Sequence, residues 1–127
     1  MAIILLVEGH PEVRALLGAV VADLGHSCVD PPARLPAIPP AADVVVVDPS
    51  LPGAAGLVRA AKRRSPRAAV VALPSGPSDD AEPMEDAVAT LSRPFSLDAL
   101  SRALRRAVEL ATGAGTGAGP GIGPSVA

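Results

Sequence analysis

Four side chains of the right types for phosphoryl chemistry each follow an apolar run: Glu8, Asp48, Ser75 and Arg93. A carboxylate can attack phosphorus and carry the group as an acyl phosphate. A hydroxyl and a cation beside it can hold the remaining phosphoryl oxygens. A divalent cation offsets phosphoryl charge in such sites, and hard cations take oxygen ligands. The order is an acid after the first run, an acid after the third, a small hydroxyl after the fourth, and a cation before proline after the fifth. That order makes a phosphoryl-transfer set if one fold gathers the four positions. Asp48 is the centre of the set. Taken by itself, an Asp after a strand more often caps a turn, so the rest of the chain has to decide.

The elements that must position these residues are legible in turn. Asp43-Val44-Val45-Val46-Val47-Asp48 reads as a strand buried on both faces. Pro49-Ser50-Leu51-Pro52-Gly53 cannot continue it. Ala2–Val7 reads as a second doubly buried strand, followed by a helix with Pro11 at its first position and Gly25 at its end. Val13, Leu16, Leu17, Val20, Val21 and Leu24 make the apolar face of that helix. A short strand is expected over His26–Asp30, a turn or a single short helical turn on Ala33-Arg34-Leu35 in proline-rich 31–40, and a helix over Ala54–Arg64 with Leu57, Val58 and Ala61 inward. Lys62-Arg63-Arg64 suits the negative end of that helix dipole.

Ala69–Leu73 is a further strand, Pro74–Pro83 an acidic loop expected to be poorly ordered, and Met84–Ala89 at most a short helix. Ala89–Ser92 reads as a weak strand, and Ser96 as the N-cap of a last helix running to about Ala111. Leu100, Leu104, Val108 and Ala111 face the sheet in this reading. The alternation implies a flavodoxin-like, doubly wound, five-stranded parallel sheet in order 2-1-3-4-5. The carboxyl ends of four of its strands then converge on one cleft. Residues 1–111 form one domain, and 112–127 read as a disordered Gly/Ala/Pro-rich tail.

Composition narrows the function classes. The 127 residues are 49% hydrophobic and 1% aromatic, so the core must be aliphatic and base-stacking platforms are excluded. A net charge of −2 argues against nucleic acid and anionic membranes as partners. The single cysteine, Cys28, allows no internal disulfide and reads as a buried strand thiol. Ala2–Val7 is too short for a membrane span and has no basic flank, so a cytoplasmic protein is expected.

With these residues in place the sequence resembles the receiver domains of two-component response regulators. Ile3–Arg14 resembles that family's first strand, acidic pair and first helix. Val44–Gly53 resembles its phosphoacceptor strand and loop, and Leu91-Ser92-Arg93-Pro94-Phe95 its lysine-proline-phenylalanine segment. The resemblance implies Asp48 as phosphoacceptor and Mg²⁺ on Glu8, Asp48 and the Ser50 carbonyl; with no acid at position 9, weak binding is expected. It implies Ser75 and Arg93 against the phosphoryl group, and a cis Arg93–Pro94 bond. The pattern departs from the family at Gly9 (second acid), Pro74 (switch hydroxyl, with Ser75 one residue late), Thr90 (switch aromatic) and Arg93 (lysine).

Three readings follow. In the first, Asp48 takes a phosphoryl group from a histidine kinase or phosphotransfer protein, and output passes to a downstream protein partner. In the second, the chain is a pseudo-receiver, an interaction module independent of phosphorylation. In the third it is a phosphatase-like enzyme. That class carries a second acid two residues after its nucleophile, where this chain has Ser50, so no enzyme is expected.

Overall fold

The computed structural model describes residues 1–31, 39–75 and 87–113. The expected turn within 31–40, most of the acidic loop, the first part of Met84–Ala89 and the tail from residue 114 onward lie outside these residues. Among the described residues the strands are β1 (Ile3–Val7), β2 (Ser27–Val29), β3 (Val44–Val47), β4 (Ala69–Ala72) and β5 (Ala87–Thr90). The helices are α1 (Pro11–Asp23), α2 (Ala54–Arg64) and α3 (Leu97–Thr112). All strand pairs are parallel, in the order β2-β1-β3-β4-β5, as expected from the sequence.

Period-two alternation splits the sheet between two cores. Ile4, Leu6, Val44, Val46, Val71 and Leu73 pack with Leu17 and Val21 of α1 and with Leu100, Leu104 and Ala107 of α3. Leu5, Val7, Val45, Val47 and Val70 point the other way, against Ala54, Val58 and Ala61 of α2. Because β3 is central and covered on both sides, all four of its valines are buried. Aliphatic burial of this kind is worth about 25 cal/mol per Å² of apolar surface. It fixes the strand whose end carries Asp48.

Local signals set the element ends. Gly25 sits at φ +87 just after α1, and its N–H donates to the Ala22 carbonyl. Ser96 caps α3, its Oγ accepting from the Ala99 N–H at 3.0 Å. That helix continues through Thr112 before Gly113, at φ +70, ends it. The Arg93–Pro94 bond is cis.

Four expectations need correction. The last strand lies at Ala87–Thr90 rather than 89–92, so residues 87–89 are strand and not helix. Its position is set by pairing with β4, interrupted by a register shift at Val70/Val71, and a four-residue alanine-rich strand carries too little pattern to show this. Cys28 is exposed, not buried, because β2 is an edge strand with a neighbour on one side only. Leu16 is 39% exposed, so the buried face of α1 is narrower than its apolar face. Ile3, at the opening of β1, is also exposed, so that strand is not covered throughout.

Candidate functional site

Loops at the carboxyl ends of β1, β3, β4 and β5 bring Glu8, Asp48, Ser50, Ser75 and Arg93 together. Asp48 is still tied to the sheet through its N–H, which donates to the Val7 carbonyl at 3.0 Å. Beyond it the chain turns, with the Leu51 N–H donating to the Asp48 carbonyl and Gly53 left-handed at φ +80. The Leu73 N–H bonds to the Val47 carbonyl, which holds Pro74 and Ser75 beside the same strand end.

Asp48 is buried as a whole residue, backbone included, with 4% of its surface exposed. Its Oδ1 accepts from the Ser50 N–H at 3.0 Å and from the Ser50 hydroxyl at 2.5 Å. The Ser50 and Ser75 hydroxyls are themselves 2.7 Å apart. Oδ2 lies 3.6 Å from Nη2 of Arg93. Burial pushes the Asp48 carboxyl up. The hydrogen bonds from Ser50 and Ser75 and the charge of Arg93 outweigh that, so its pKa is held below the ordinary carboxylate value. Asp48 is therefore ionised at neutral pH.

Arg93 bridges the cleft through both terminal guanidinium nitrogens. Its Nη1 donates to Glu8 Oε2 at 3.1 Å and its Nη2 to Glu8 Oε1 at 2.7 Å. This is the bidentate fork that guanidinium forms with carboxylate. Nη2 also donates to the Leu73 carbonyl at 3.0 Å. The hydrogen bonds from Glu8, then the charges of Glu8 and Asp48, raise the Arg93 pKa against the opposing effect of burial. Its Nε is buried and finds no partner among the described residues. Ser75, one position past the expected hydroxyl, does reach the cleft.

Pro74 offers no N–H and no hydroxyl there. Thr90 is exposed at the carboxyl end of β5, and the chain has no Trp or Tyr.

The oxygen donors expected for Mg²⁺ are the right chemical type, but both Glu8 oxygens are already on Arg93. No group of three or more His, Cys, Asp or Glu side chains could hold a metal ion among the described residues. In this arrangement the cleft does not fit a tightly held divalent cation. Glu8 and Arg93 are legible in the sequence as site residues, but nothing local signals that they pair with each other.

No known family profile matches the chain, and no curated relative is found. Solved structures do match it. NtrX from Brucella abortus, crystallised with ADP, aligns at 22% identity and TM-score 0.69 over 87% of this chain and 27% of its own. The chain thus spans about a quarter of that protein. The receiver domain of the sensor histidine kinase PA1611 from Pseudomonas aeruginosa, with magnesium coordinated in its active-site cleft, aligns at 22% identity and TM-score 0.64. That alignment covers 84% of this chain and 97% of the other. A chain from the complex of histidine kinase ThkA with response regulator protein TrrA aligns at 18% identity and TM-score 0.62, covering 85% and 99%. The class this defines is one of fold: the chain has the flavodoxin-like architecture of response-regulator receiver domains. No helix among the described residues is long and apolar enough to cross a membrane.

Proposed function

We propose that the chain is a receiver domain of two-component signalling, with Asp48 as its phosphoacceptor. The observation that carries this reading is a buried, ionised Asp48 whose Oδ2 faces a guanidinium at 3.6 Å while Oδ1 is held by Ser50. One oxygen is tethered and the other is turned toward positive charge, which suits a positioned nucleophile.

In the transfer, Asp48 Oδ2 attacks the phosphorus of a phosphohistidine on a partner kinase or phosphotransfer protein. The P–O bond forms as the P–N bond breaks. The bonding pair leaves with the imidazole nitrogen, which takes a proton from solvent. Arg93 and the hydroxyls of Ser50 and Ser75 are placed to meet the phosphoryl oxygens, where donors and cations stabilise developing charge. Output then passes to a downstream protein that recognises the modified cleft.

The tight Glu8–Arg93 fork supports a second reading, a pseudo-receiver that binds its partner regardless of phosphorylation. One experiment separates them. Incubation with a small acyl-phosphate donor should add one phosphoryl group to the wild type by intact mass and none to Asp48→Asn. An unlabelled wild type, with donor-competent controls, favours the pseudo-receiver.

A further inference from the structure

We infer that Arg93 is the resident cation of this cleft, standing in the place of a divalent metal and holding the site in a state that does not bind Mg²⁺. The inference deepens the phosphoacceptor reading by naming the cation that offsets the negative charge of that site, and its test reads no phosphoryl transfer, so the two can fail separately.

Two carboxylates, Glu8 and Asp48, are buried side by side, their side chains 3% and 5% exposed. Two such charges out of water need a cation between them. Arg93 supplies it: Nη1 and Nη2 each donate one hydrogen bond to Glu8, and Nη2 also approaches Asp48 Oδ2 to 3.6 Å. Its third partner, the Leu73 carbonyl, fixes the guanidinium against the end of β4. Mg²⁺ takes oxygen ligands in near-ideal octahedral geometry, usually with one or two carboxylates. The Glu8 oxygens that could serve are bound to Arg93, and a guanidinium cannot give up its proton to yield them. A dication would also sit within a few ångströms of a fixed positive charge. The length of Glu8 is what lets its carboxylate meet the fork, and the planar fork is what satisfies both oxygens at once. Gly9 adds no carboxylate to compete for the position.

The missing acid at position 9 is the rival explanation for a metal-free cleft. A Cβ there would meet Leu51 Cδ2 at 3.2 Å, the end of a side chain that can turn aside, so Gly9→Asp can be built. Mn²⁺ serves as a paramagnetic probe, followed by broadening of amide resonances, with Mg²⁺ titrated by calorimetry. The wild type should show no selective broadening at residues 8, 48 and 50. Arg93→Gln should broaden there first and bind Mg²⁺ roughly tenfold more tightly or better, since even at intermediate dielectric a unit charge about 4 Å away strongly repels a dication. Glu8, Asp48 and Ser50 are then its ligands, and added Mg²⁺ should raise the melting temperature of the variant alone. Gly9→Asp with Arg93 intact should gain less than Arg93→Gln. If Arg93→Gln does not fold, Arg93→Lys decides. Its point charge cannot hold both Glu8 oxygens, so an affinity above wild type supports the inference and an unchanged one overturns it. Saturable tight binding by the wild type, or recovery by Gly9→Asp and not by Arg93→Gln, also overturns it.

Discussion

At the scale of single residues, Asp48 and Arg93 carry opposite parts of one electrostatic arrangement. Asp48 is held ionised by the Ser50 and Ser75 hydroxyls, the Ser50 N–H and the charge of Arg93, against the upward push of burial. A carboxyl whose pKa is lower in the folded state adds stability above its unfolded pKa. That contribution is lost as pH falls through the folded value. Wild type and Asp48→Asn should therefore differ in the pH dependence of stability below about pH 4, the ordinary carboxylate range. Denaturant unfolding at a series of pH values checks this: the wild type should lose stability more steeply on acidification than Asp48→Asn. Parallel profiles would mean that the Ser50 and Arg93 contacts do not favour the ionised form. Pro74 and Thr90 act at the same scale. The first has no hydroxyl or N–H to follow a phosphoryl group, and the second has no aromatic ring to swing inward.

At the scale of elements, α3 depends on its first turn as well as its buried stripe. The Ser96 hydroxyl satisfies the Ala99 N–H, one of the donors a helix start leaves open. Ser96→Ala should lower stability by about 1 kcal/mol, read as a shifted denaturant midpoint at constant slope. This cap was legible in the sequence, as were the four-valine strand and the all-parallel order, because each follows from strong local pattern. Strand β5 lies two residues earlier than its sequence pattern suggests, since Ala87-Val88-Ala89-Thr90 has no marked alternation and its register comes from β4. The exposure of Cys28 and Leu16 is not legible in the sequence, because edge position and helix docking are tertiary facts. The site was legible as residue types at strand ends. The Glu8–Arg93 fork was not, as it joins residues 85 positions apart and depends on side-chain length.

At the scale of the whole molecule, an aliphatic core on each face of the sheet fixes the relative positions of four strand ends, and so of the cleft. Leu104 is fully buried against the strands, whereas Leu97 on the same helix is exposed. Leu104→Ala should cost roughly 2–5 kcal/mol, against at most about 0.5 kcal/mol for Leu97→Ala, measured by denaturant unfolding. Much of the stability of a small domain would go with the first change, and the cleft with it.

The central claim is that this fold presents one nucleophile, Asp48, to a phosphoryl donor. Hydride reduction after treatment with a small phosphodonor tests it most directly, because an aspartyl phosphate is reduced to homoserine and peptide mass spectrometry locates the product. The account predicts homoserine at position 48 and at no other acid, and none in Asp48→Asn. Conversion at Glu8 or elsewhere with Asp48 untouched, or no conversion at all, would contradict it.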